Sequence, residues 1–217
     1  MGRNSEHGAL RRRLQRAIGH ALAWLLLVAL PATTASPPRA QRTILVLGDS
    51  LSAAHGLRED QGWVALLGAR LAKEQPGWRV RNASLSGETS AGGASRIVSE
   101  LVRARPAVVV IELGANDGLR GLQLQQTRVN LARMIGAVRV LLVGMKLPPN
   151  FGQPYVRDFE ANYGALAERF DVALLPFLLE PVAADRENFQ ADNLHPDAAA
   201  QPRLRDYVWT ALEPLLR

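Results

Sequence analysis

The chain contains no cysteine among its 217 residues, so disulfides, thiolate metal sites and lipid attachment through a cysteine are excluded. It has four histidines, His7, His20, His55 and His195, so imidazole chemistry has few places to sit. Aromatic residues make up 6% of the chain, and no apolar run reaches the roughly 18 to 20 residues needed to cross a bilayer. Three motifs are also missing: Gly-x-Ser-x-Gly, the phosphate-binding Walker loop and His-Glu-x-x-His. Internal repeats and low-complexity segments are absent as well.

Positive charge looks abundant at first, because the formal net charge is +6. Five arginines (Arg3, Arg11, Arg12, Arg13, Arg16) against Glu6 put +4 of that in residues 1–35, leaving +2 for the remainder. The basic signature belongs to the leader, and no nucleic-acid partner is implied. That leader reads as a secretory signal. A basic segment from Arg11 to Arg16 precedes the apolar run Ala21–Leu30, then Pro31 and the small residues Thr33-Thr34-Ala35. We therefore expect residues 1–35 to be a signal peptide cleaved after Ala35, residues 36–41 a linker, and residues 42–217 one domain. A permanent membrane anchor is the competing reading, and the run is too short for it.

The rest alternates strand and helix patterns. Thr43–Leu47 is a first strand, followed by a helix over 62–73 with Trp63, Leu66, Leu67 and Leu71 at helical spacing. A second strand is expected over Trp78–Ala83, then a helix opened by Gly92-Gly93 and ending at Arg103. Ala107–Leu113 is apolar except for Glu112 and rich in β-branched residues, which places it at the centre of a sheet covered on both faces. Helices over 124–135, 155–170 and 202–215 and strands over 139–143 and 172–175 complete the alternation. The fold class is therefore α/β: an open, five-stranded parallel sheet between helical layers. Right-handed crossovers then bring every strand's carboxyl end to one edge.

Chemistry-bearing residues sit at those ends. Ser50, in Gly48-Asp49-Ser50-Leu51-Ser52, follows the first strand, and a serine hydroxyl needs a base to become a nucleophile. Removing the leader leaves His55 and His195. His55 lies five residues past Ser50 and reads as a loop residue packing near the site. His195, in Asp192-Asn193-Leu194-His195-Pro196, has an acid three residues back that can hold Nδ1 and leave Nε2 to take a proton. Taken alone, Asp-x-x-His is an ordinary surface turn. Attack on a carbonyl makes an oxyanion, for which the Ser50 N–H, the Gly87 N–H and the Asn116 amide are the candidate donors. Gly114-Ala115-Asn116-Asp117 taken alone also reads as a turn.

Together these four blocks resemble the SGNH (GDSL) hydrolases, specifically their bacterial arylesterase, acyl-CoA thioesterase and lysophospholipase branch, over nearly all of residues 43–216. The resemblance implies a three-layer, flavodoxin-like α/β/α fold with strand order 2-1-3-4-5. It implies Ser50 as nucleophile, His195 as base and Asp192 as orienting acid, with Ser50, Gly87 and Asn116 lining the oxyanion hole. No cofactor and no metal are expected. The substrate would be a small acyl ester, thioester or lysophospholipid, met by a monomer in the periplasm or outside the cell. Leu147-Pro148-Pro149-Asn150-Phe151-Gly152 looks like that branch's loop after the fourth strand, at the rim of an acyl groove. The third crossover, through Ile135-Gly136-Ala137-Val138-Arg139, is shorter than the branch leads one to expect.

Three other readings compete with this one. A magnesium-dependent phosphatase would use Asp49 as nucleophile, but that chemistry expects Asp-x-Asp. A non-catalytic binding module would be expected to lack one of the catalytic residues. Glu112 with Asp117 as a glycosidase pair is the third, and bracing of the site loops is the simpler role for both.

Overall fold

The computed structural model describes residues 41–136 and 139–217. The expected leader, and the linker up to Ala40, lie outside the described residues, as do Ala137 and Val138 of the short crossover. Strand β1 (Arg42–Gly48) exposes only its first residue, as a strand with helices on both faces must. Helix α1 (Trp63–Glu74) leads to β2 (Trp78–Asn82), and α2 (Ser90–Ala104) to β3 (Val108–Glu112). All five residues of β3 are buried, which agrees with its apolar composition. A short helix α3 (Ala115–Leu119) and then α4 (Leu124–Ile135) precede β4 (Arg139–Val143). The chain closes through α5 (Gln153–Phe170), β5 (Ala173–Leu175) and α6 (Gln201–Leu212).

The strands form one parallel sheet in the order β2-β1-β3-β4-β5. Helices α1 and α6 pack together on one face, while α2, α4 and α5 form the other layer. This is the expected three-layer architecture. Chain order reverses beside β1, which moves outward to β2 and then back past itself to β3. Ligands of open α/β sheets bind at such a reversal, beyond the strands' carboxyl ends.

Local chemistry shifts several boundaries. Helix α2 starts at Ser90, two residues before the glycine pair, because Thr89 caps it by accepting from the Gly92 N–H. Helix α5 starts at Gln153, with Pro154 in its first turn where no N–H is needed. Helix α6 ends at Leu212, and Pro214 sits in a following 3₁₀ turn. Helix α3 lies where the sequence pattern alone gives a turn. Gly114 turns the chain at φ 120°, and the Asn116 segment then winds into five helical residues rather than an open turn. The twelve residues of α4 match expectation, about 18 Å of helix to recross the sheet.

Candidate active site

The carboxyl end of β1 is built around a missing side chain. A Cβ on Gly48 would lie 2.6 Å from Glu112 Oε2, so only glycine lets the Glu112 carboxyl tuck against the strand end. Register pairs Gly48 with Glu112 across β1 and β3. Glu112 Oε2 accepts from the Asp49 N–H at 3.2 Å and from Ser52 Oγ at 2.7 Å, tying both sides of the Ser50 turn to β3. The turn then winds on, with the Ala53 and His55 N–H groups donating to the carbonyls of Asp49 and Ser50. Ser50 is left half-buried at the tip.

His195 arrives from a loop far along the chain, and two glutamines seat that loop. Gln190 Nε2 donates to the His55 carbonyl at 2.8 Å and to the Pro196 carbonyl at 3.2 Å. A Cβ at Gly56, where φ is 74°, would strike the Gln190 side chain. Gln201 Nε2 donates to the Pro196 carbonyl at 3.2 Å while its Oε1 accepts from the Trp63 N–H at 3.0 Å, fixing the loop to the start of α1. A short antiparallel bridge between Phe189 and Pro196 closes the loop on itself. Neither glutamine was singled out in the sequence, and no local pattern marks either, since their partners lie up to 138 residues away.

The decisive geometry follows. His195 Nε2 lies 2.8 Å from Ser50 Oγ, and His195 Nδ1 lies 2.7 Å from Asp192 Oδ2. The other Asp192 oxygen accepts from the N–H groups of Leu194 and His195, so the acid and its turn are one unit. Those bonds, the His195 side-chain bond first, hold the Asp192 carboxyl well below the usual carboxylate range. Asp192 thus stays ionised wherever the imidazole can act as a base. His55 packs beside His195 with ring centroids 4.4 Å apart and the rings tilted by 40°, the packing role expected of it.

Gly87 and Asn116 reach the same rim. Gly87 has φ 79°, and its carbonyl accepts from Arg120 at 3.0 Å. Asn116 Nδ2 donates to Asp49 Oδ2 at 3.1 Å and to the Glu88 carbonyl at 3.0 Å. Behind it, Asp117 is buried and accepts from the Ser90 N–H, Ser90 Oγ and Thr127 Oγ1, bracing α3 against α2 and α4. Ser50, Gly87, Asn116 and His195 all line a cavity of about 570 Å³ whose walls are largely apolar, including Leu119, Leu147, Pro148, Phe177 and Leu179. The Leu147-Pro148-Pro149 segment thus reaches the cavity itself.

A family model described as the GDSL-like lipase/acylhydrolase family matches residues 46–202. The chain belongs to that family. Among its GDSL-like relatives, esterase TesA of Pseudomonas aeruginosa is 53% identical over 82% of this chain and 90% of its own length. Thioesterase 1/protease 1/lysophospholipase L1 of Escherichia coli is 42% identical over 80% of this chain and 85% of its own. The crystal structure of the psychrotrophic esterase EstA from Pseudoalteromonas sp., inhibited by monoethylphosphonate, is 37% identical. It superposes with a TM-score of 0.77, covering 81% of this chain and 99% of that one.

The geometry bears on the competing readings too. Asp49 is fully buried, with one oxygen accepting from the Leu51 N–H at 3.1 Å and the other from Asn116 Nδ2, which makes it a brace of the turn rather than an exposed nucleophile for a phosphate. Glu112 and Asp117 are likewise enclosed, which suits bracing and leaves no room for a sugar ring between them. No helix among the described residues is long and apolar enough to cross a membrane.

Proposed function

We propose that this chain is a secreted serine hydrolase of carboxylic esters and thioesters, formed by residues 42–217 after removal of residues 1–35. It works as a monomer on small acyl substrates in the periplasm or outside the cell. The observation that carries the reading is the relay of Ser50 Oγ, His195 and Asp192 across contacts of 2.8 and 2.7 Å. The names of the relatives point the same way, toward esterase, thioesterase and lysophospholipase chemistry.

His195 Nε2 removes the Ser50 proton as Oγ attacks the acyl carbonyl, and Asp192 stabilises the imidazolium that forms. The carbonyl oxygen, now an oxyanion, takes hydrogen bonds from the N–H groups of Ser50 and Gly87 and from the Asn116 amide. In the resting arrangement that amide is shared between Asp49 and Glu88, and the oxyanion replaces the weaker carbonyl acceptor of Glu88. Collapse expels the alcohol or thiol, which leaves with the proton from His195. Water, deprotonated by the same imidazole, then attacks the Ser50 ester and releases the acid. The apolar cavity suits an acyl chain, with the leaving group toward solvent.

Ser50→Ala is expected to abolish hydrolysis of p-nitrophenyl esters and labelling by a fluorophosphonate, with an unchanged circular dichroism spectrum. Wild-type turnover in that variant would overturn the reading. Running nitrophenyl esters of increasing chain length beside acyl-CoA and lysophosphatidylcholine would then rank the leaving groups.

A further inference from the structure

The Asn116 amide raises a question that the three candidate oxyanion donors leave open. A carboxamide has an oxygen end and a nitrogen end of nearly equal size, and its hydrogen-bond partners decide which end faces where. Only the nitrogen end can stabilise an oxyanion; the oxygen end would repel it. Near Asn116 the structure places two acceptors, Asp49 Oδ2 at 3.1 Å and the Glu88 carbonyl at 3.0 Å. The Glu88 carbonyl is neutral backbone. Asp49 is a carboxylate with no exposure to solvent, and its other oxygen is already occupied by the Leu51 N–H at 3.1 Å.

We propose that Asp49 is a positioning residue for acyl transfer: its buried carboxylate obliges the nitrogen end of Asn116 to face the reacting carbonyl. This rests on the serine-hydrolase reading above. An ionised carboxylate accepts and never donates, so the oxygen end of the amide has no favourable place against it. The bond is charge-assisted, which makes it roughly twice as strong as one between neutral groups. It also survives when the amide's second hydrogen leaves the Glu88 carbonyl for the oxyanion.

Glu112 completes the arrangement from below. It is fully buried, accepts from the Asp49 N–H and Ser52 Oγ, and has one oxygen, Oε1, with no partner. Burial first, and the Asp49 charge second, push its carboxyl well above the usual range. Of the two acids, negative charge is therefore favoured on Asp49, the member that touches Asn116.

Asp49→Asn is the sharpest probe, because the new side chain keeps the shape and reverses one contact. Leu51 N–H still requires the oxygen of the new amide, so the –NH₂ of the introduced residue faces the –NH₂ of Asn116. Turnover of a nitrophenyl ester at pH 8 is expected to fall about ten- to a hundredfold, with KM within about threefold. The melting temperature is expected to be no lower than wild type. Asn116→Ala alone is expected to lose at least as much, and the double variant Asp49→Asn/Asn116→Ala no more than Asn116→Ala, because the two act through one donor. Asp49→Ser, too short to reach Asn116, gives the same non-additivity and serves if the amide variant does not fold. Wild-type kcat in Asp49→Asn, a double variant whose loss is the product of the single losses, or a melting temperature that falls in step with activity would each overturn the inference. Ser50→Ala separates the two levels: if it is inactive while Asp49→Asn is not, the inference alone fails, and if it is active the parent reading fails first.

Discussion

Asp192 has two jobs on two oxygens, and substitution can separate them. Oδ1 holds the turn by accepting from the Leu194 and His195 N–H groups, while Oδ2 accepts from His195 Nδ1. In Asp192→Asn the amide oxygen keeps the turn, and the –NH₂ is left facing Nδ1. The imidazole must then present a lone pair at Nδ1 and carry its proton on Nε2, where it can no longer take the serine proton. We expect kcat to fall by about a hundred- to ten-thousandfold with little change in melting temperature, read by ester hydrolysis and thermal denaturation. Gly114 is another residue whose identity its surroundings dictate. At φ 120°, with a would-be Cβ 2.3 Å from the Tyr163 hydroxyl, it has no room for alanine. The Tyr163 hydroxyl donates to the Leu113 carbonyl and would have to give way. Gly114→Ala is expected to cost about 2–4 kcal/mol in denaturant unfolding and to disturb Asn116, two residues on.

At the scale of elements, the β1 and β3 ends are joined by a buried acid that opposes folding as it ionises. Burial pushes Asp49 up to about 6 from 3.8, and Glu112 well above 4.5. Both folded-state values exceed those of the unfolded chain, so the folded protein binds these protons more tightly. Their contribution to stability is complete below about pH 4 and declines as pH rises through the folded-state values. Glu112→Gln removes the larger part of that decline, and its amide can fill the place of the unpartnered Oε1. Relative to wild type, the variant's melting temperature is expected to improve between pH 5 and pH 8. A difference that stays flat with pH would contradict the raised proton affinity of Glu112. The elements themselves were largely legible beforehand, because period-2 and period-3.6 patterns are written in neighbouring residues. Misplaced ends had local causes that composition alone ranked wrongly, such as the Thr89 cap outweighing the glycine pair. Helix α3 was missed because five residues hold too little periodicity to show, and Gly114-Ala115-Asn116-Asp117 has the composition of a turn.

For the whole molecule, the expected leader and the hydrolase domain make separate demands. Residues 1–35 hold four of the six net positive charges, whereas the described strands and helices run from Arg42 onward. Export with cleavage after Ala35 is expected to give a mature protein starting at Ser36, seen by intact mass. A chain starting at residue 42 is expected to hydrolyse nitrophenyl esters as fast as the mature form. By itself the sequence determined the α/β alternation and the sheet edge toward which the loops of Ser50, Gly87, Asn116 and His195 run, and it offered Asp192 as a partner for His195. Each of those follows from spacings of a few residues, or from the right-handedness of parallel crossovers. Only the tertiary structure decided the Gln190 and Gln201 struts, the Glu112 acid beneath Gly48 and the grip of Asp49 on Asn116. Those contacts join residues 60 to 138 positions apart, and they exist only once strand register and helix packing have set the distances between them.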